Sequence, residues 1–82
     1  MTTYLITQIY DEEMKNHTKK DFESDLDAIE FCKELVGKNP MEFDLGLTRK
    51  ANQAELETKY CIGSSIGLAR YDCCTQEWDE LA

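Results

Sequence analysis

The chain has 82 residues, and its 17 Asp and Glu against 9 Lys and Arg give a formal net charge of -8. Nucleic-acid binding runs on Lys and Arg neutralising phosphates, so this charge argues against direct contact with nucleic acid and in favour of partners with basic protein surfaces. A hydrophobic content of 41% with one proline separates the chain from disordered polymers, and its length predicts a single domain over residues 1–82 that buries about 60 to 65 per cent of the surface its unfolded form exposes.

Residues 3 to 10, Thr-Tyr-Leu-Ile-Thr-Gln-Ile-Tyr, are rich in β-branched and aromatic types with apolar groups on both alternating faces, which predicts a central strand. Polar residues from Asp11 to Lys20 turn the chain, and Thr18 to Glu23 is expected to return as a short second strand. Ser24 and Asp27 then fit the capping-box spacing that opens a helix over about residues 25–36, closed by Gly37 with Pro40 beyond it. On that helix Ala28, Ile29, Cys32, Leu35 and Val36 share one face, the face expected on a sheet.

Met41 to Thr48 alternates, with Met41, Phe43, Leu45 and Leu47 to one side and Glu42, Asp44, Gly46 and Thr48 to the other, as in a strand with one wet face. Over Arg49 to Leu56 the pattern is short, with Asn52 and Glu55 placed to cap one helical turn. Glu57 to Ile62 and Leu68 to Asp72 read as strands on either side of Gly63-Ser64-Ser65-Ile66-Gly67, a hairpin. Finally, Asp72 to Glu77 forms a turn that lets the rings of Tyr71 and Trp78 meet across a last hairpin. The predicted class is α+β, an antiparallel sheet of four to six strands with one main helix packed on one face.

The apolar stretch from Tyr4 to Tyr10 has no basic lead-in and runs into Asp11, Glu12 and Glu13, unlike a signal peptide. No run reaches the eighteen or so apolar residues of a membrane span, so the expected location is the cytoplasm, with Cys32, Cys61, Cys73 and Cys74 as free thiols.

Catalytic chemistry has little to build on. His17 is the one histidine and falls in the polar segment expected to be a loop, where it lacks the ordered surroundings that a general base needs. Cys73 and Cys74 are adjacent rather than at the two- to four-residue spacing of zinc ligands. The Gly63 to Gly67 segment lacks the Lys of a phosphate loop. The expectation is a non-enzymatic protein with no cofactor and no metal.

Charge placement says more. Eight of the 17 carboxylates fall between residues 21 and 48, opposed there by Lys33 and Lys38 alone. Asp27, Glu30 and Glu34 recur on the helix as a stripe about 10 Å long at 1.5 Å per residue, facing away from the core, with Lys33 and Lys38 near enough to pair with Glu30 and Glu34. Glu42 and Asp44 are expected to extend it on the wet side of a strand, about 7 Å apart, and Asp72, Glu77, Asp79 and Glu80 to add a second acidic group near the C-terminus.

A small acidic α+β chain that opens on a strand, Thr3-Tyr4-Leu5-Ile6, and continues with an acidic capped helix and further strands resembles, in size, charge and layout, the phage-encoded anti-defence proteins of the anti-CRISPR type. The resemblance implies binding to a CRISPR effector complex and blockage of target DNA by carboxylates that stand in for phosphates, in the host cytoplasm. The expected partner is accordingly a basic nucleic-acid-binding protein or complex. Two alternatives stand beside this one: an immunity protein or antitoxin against a nuclease, and a small zinc- or thiol-dependent protein using Cys61, Cys73 and Cys74. The oligomeric state is open, because an edge strand can pair with a second copy.

Overall fold

A computed structural model describes residues 1–57 and 61–80. Six strands and one long helix follow one another as β1 (Thr2–Ile9), β2 (Lys15–Phe22), α1 (Asp25–Lys38), β3 (Asp44–Lys50), a single 3-10 turn (Glu55–Glu57), β4 (Cys61–Ile62), β5 (Ser65–Asp72) and β6 (Glu77–Glu80). Every pairing is antiparallel, in the order β2-β1-β3-β5-β4, with β6 also on β5. β4 takes the start of the outer edge of β5 and β6 takes its end. The architecture is the expected α+β one, a six-stranded sheet with a single helix on one face.

β1 lies between β2 and β3, which is why its two faces both carry apolar groups: Tyr4 and Ile6 are buried beneath α1, while Leu5 and Ile9 are half-buried on the other side. β2 begins at Lys15, three residues before the strand expected from Thr18, so Lys15 to His17 is strand and not part of the turn. The turn is only Tyr10 to Met14, closed by the Tyr10 N–H on Met14 O at 2.9 Å and by the Asp11 carboxylate accepting the N–H groups of Glu13 and Met14, each at 2.8 Å. Residues as poor in strand propensity as Lys-Asn-His-Thr-Lys-Lys are extended here because β1 offers a full ladder of eight pairs.

α1 opens where Ser24 predicts, the Ser24 Oγ accepting the Asp27 N–H at 3.1 Å. It passes through Gly37, expected to close it, and ends at Lys38 with Asn39 as cap, the Asn39 N–H on Val36 O at 3.0 Å. Ala28, Cys32 and Val36 are buried, and Ile29, Phe31 and Leu35 flank them. They pack on Tyr4, Ile6, Leu45, Leu47, Ile66, Leu68, Ala69 and Tyr71, of which each fully buried Leu or Ile contributes about 1.5 to 3 kcal/mol.

β3 starts at Asp44, three residues later than the alternation suggests. Met41, which that pattern places inside, is 73% exposed, because Asn39 to Met41 turn the chain out of α1, with the Glu42 N–H on Asn39 O at 3.2 Å. Between Leu47 and Thr48 the pairing with β5 slips by one residue, so that Leu47 faces Ala69 and Thr48 faces Gly67. The extra residue, Leu68, is a bulge that sends both Leu68 and Ala69 into the core. The 3-10 turn stands where a strand from Glu57 was expected, and residues 58–60 of that predicted strand lie outside the described residues. The β4–β5 turn is just Gly63-Ser64, with φ of 63° at Gly63, and β5 already includes Gly67. In the last hairpin Tyr71 faces Trp78, ring centroids 5.0 Å apart.

Candidate protein-binding site

The outer face of α1 is built by the same spacing that builds the core. With Ala28, Cys32 and Val36 turned inward, helical geometry leaves Asp27, Glu30 and Glu34 on the opposite side, and all three are exposed. Asp27 lies in the first turn, where the helix dipole favours negative charge. Lys33 does not neutralise the stripe. It leans sideways to Glu80 Oε1 on β6, at 2.9 Å. Among the described residues the ion pairs are Lys33–Glu80, Arg49–Asp25 and Arg49–Glu55, and none involves Asp27, Glu30 or Glu34.

The remaining acidic candidates divide by employment. Glu42 is exposed in the turn before β3, and Asp44 is the first residue of that strand, so the two do not form a row along one strand. Asp44 is half-buried and accepts the Cys73 N–H at 2.8 Å, a bond that holds its carboxyl below the usual range. Asp72 accepts the Cys74 N–H at 2.9 Å. Both carboxylates therefore organise the β5–β6 turn. Glu77 and Asp79 are exposed on β6, and the Lys33–Glu80 bridge ties that strand to the helix flank. What the fold brings to the flank of the helix stripe is Glu80; Glu77 and Asp79 lie on the opposite face of the sheet and Glu42 stands apart.

A second polar centre is not visible in the sequence. Arg49, its side chain 12% exposed, uses all five N–H donors: Nε and one Nη2 hydrogen on Asp25 (2.8 and 3.0 Å), one hydrogen each of Nη1 and Nη2 on Glu55 (2.6 and 2.7 Å), and the last on Lys50 O (3.1 Å). Tyr4 donates its hydroxyl to Asp25 at 2.7 Å, and burial with that bond pushes the phenol up to about 12. The guanidinium holds the Asp25 carboxyl below its usual range and lowers Glu55 to about 2. Asn52 and Glu55 cap each other reciprocally, at 2.9 and 3.0 Å, as their spacing predicts. A concavity of about 470 Å³ lies over this cluster, lined by Tyr4, Ser24, Asp25, Arg49 and Asn52 among others. With every donor of Arg49 engaged, the cluster works as a strut and not as an anion receptor.

The thiols are dispersed. Cys32 is buried beneath α1 and pushed up to about 12 by desolvation. Cys73 is pushed up to about 11, chiefly by its hydrogen bond with Asp44, so its thiolate, the form that attacks or binds metal, is disfavoured. Cys61 donates its thiol to Gly63 O at 3.4 Å, and Cys74 is exposed. His17 lies on β2, its Nδ1 3.1 Å from Thr7 Oγ1, and not in a loop. Among the described residues no three His, Cys, Asp or Glu side chains gather as a metal site, and no helix is long and apolar enough to cross a membrane. Comparison with protein-family models, with curated proteins and with solved structures returns no match.

Proposed function

We propose that the protein is a non-enzymatic inhibitor that occupies a basic, nucleic-acid-binding surface of another protein, its carboxylates standing where phosphates would lie. The observation that supports this reading is the outer face of α1, where Asp27, Glu30 and Glu34 are exposed and, among the described residues, without a cationic partner, while the nearest lysine along the helix, Lys33, is spent on Glu80. Uncompensated like charges on one helix face destabilise it by about 0.2 to 0.5 kcal/mol per pair, and a basic partner relieves that repulsion while the field of the stripe speeds encounter. On β6 it is Glu80, bridged to Lys33, that borders this face, while Glu77 and Asp79 lie on the other side of the sheet. CRISPR effector complexes, with their positively charged channels, are the target class on which the reading rests; a nuclease toxin offers the same charge chemistry.

The test is a binding measurement against purified effector complexes and nuclease toxins, with DNA as competitor. Capture should be competitive with DNA and weaken with salt, and D27N/E30Q/E34Q should reduce affinity about tenfold or more. Binding that ignores DNA, salt and the triple substitution would sink the proposal.

A further inference from the structure

Cys73 and Cys74 are the exception to the scatter of the thiols. Neighbouring side chains on a strand point to opposite faces, but β5 ends at Asp72 and these two residues open the turn to β6. Both line one concavity of about 500 Å³. Their backbone is pinned there, the Cys73 N–H on Asp44 at 2.8 Å and the Cys74 N–H on Asp72 at 2.9 Å.

The two thiols differ in reach. Cys74 is exposed, whereas Cys73 is half-buried and its thiol is hydrogen-bonded to the Asp44 carboxylate and to the Cys74 side chain, both of which keep it protonated. One sulfur is thus open to a reagent and the other stands against it. The same concavity carries Asp11, Glu12 and Asp44 against the single cation Lys15, a balance that draws in a cationic reagent and holds off an anionic one.

We propose that Cys73 and Cys74 are a redox pair, joined to each other by exchange with a small cationic disulfide, with Cys74 attacking and Cys73 resolving. The Cys74 thiolate, its proton given to water, attacks one sulfur of the reagent, whose S–S bond breaks as one thiolate leaves. Cys73 then loses its proton to water and attacks Sγ of Cys74, expelling the second thiolate. Both departing thiolates take up protons. The protein is oxidised by two electrons, and the reagent is reduced to two thiols. Neighbouring Cα atoms lie about 3.8 Å apart, closer than the roughly 4.4 to 6.8 Å usual in disulfides, so the ring is strained and easily reduced, which suits a reversible mark rather than a staple. Ring closure also twists the peptide that carries the Cys74 N–H and loosens its bond to Asp72. None of these residues belongs to α1, so the exchange is independent of the inhibitor reading.

The full chain incubated with excess cystamine, then followed by intact mass and peptide mapping, tests this. The wild type should pass through a mixed disulfide at Cys74 and end with Cys73 and Cys74 joined, at a net loss of two hydrogens, and dithiothreitol should restore the free thiols. C73S should stop at the mixed disulfide, and C74S should slow cystamine uptake at the turn about tenfold or more. Oxidised glutathione, which is anionic, should react with the wild type more slowly than cystamine does. Circular dichroism checks that both variants are folded. A wild-type chain that keeps cystamine on Cys74, carries it on both cysteines or reacts at neither would overturn the proposal, and so would a faster reaction with glutathione.

Discussion

The guanidinium of Arg49 grips the carboxylate of Asp25 with two parallel hydrogen bonds, Nε to Oδ1 at 2.8 Å and Nη2 to Oδ2 at 3.0 Å, and so fastens the end of β3 to the first turn of α1. Glu55 closes the opposite side of the same plane. Removing the cation strands two carboxylates that face each other across its place. Arg49→Ala should lower unfolding free energy by about 2 to 3 kcal/mol, below the full range for a buried pair because Asp25 is partly exposed. Arg49→Lys should recover only part, lacking the planar fork. Urea unfolding of the three proteins measures both.

Acid should act through the same cluster. The Glu55 carboxyl titrates near 2 when folded against 4.5 ordinarily, and Asp25 is lowered from 3.8. A carboxylate lowered by folding adds stability that is complete above its unfolded value and is lost as pH falls toward its folded one, because the unfolded chain binds the proton first. Stability should therefore fall from about pH 4.5 down to about 2. In Glu55→Gln the slope over this window should be shallower, readable from urea midpoints at a series of pH values.

Ser24 is a further point of leverage. Ser24→Ala removes the acceptor for the Asp27 N–H and should cost about 1 kcal/mol, a fall in Tm of about 4 to 8 °C for a domain of this size. Ser24→Asp, which keeps an acceptor, should stay near the parent value in the same melt.

Gln76, in the β5–β6 turn, has a φ of 56°, a conformation that L residues other than Asn and Asp adopt at a cost of about 1 kcal/mol or more. Gln76→Gly should hold or raise stability by up to about 0.5 kcal/mol once the extra freedom of glycine in the unfolded chain is set against it. Gln76→Val, branched at Cβ, should lower it by about 1 to 2 kcal/mol.

Thiol labelling should rank three of the four cysteines. Exposed Cys74 should react first, and Cys73, pushed up to about 11, more slowly. Cys32, fully buried and pushed up to about 12, should react only as the protein unfolds. Peptide mapping after timed alkylation gives the order; early labelling of Cys32 would contradict its place beneath the helix.

The parts legible in the sequence are those written in local spacing. Ser24 and Asp27 mark the start of α1, Ala28, Cys32 and Val36 mark its inner face, and the distance from Tyr71 to Trp78 marks a hairpin. β2 was less legible because its lysines disfavour a strand until β1 supplies partners. Met41 misleads because alternation continues through residues that the turn after α1 has already claimed. For the candidate surface, helix periodicity alone gives the exposure of Asp27, Glu30 and Glu34. The diversion of Lys33 to Glu80 and the Arg49–Asp25 clasp join residues 47 and 24 positions apart, and no local pattern encodes such meetings.

The extra residue in β5 acts on the strand as a frameshift acts on a message. Up to Leu68 the even positions point beneath the helix; from Ala69 onward the odd ones do, and Tyr71 is buried only because of that change of parity. Deleting Leu68 would close the bulge: Gly67 and Ala69 become neighbours in a continuous ladder against Thr48 and Leu47, Ala69 and Tyr71 keep their places beneath the helix, and the loss is the buried side chain of Leu68 itself. Simple alternation therefore misreads the second half of β5 while reading the first half correctly, and the bulge is the one place in the strand where a residue can be lost without turning its neighbours over.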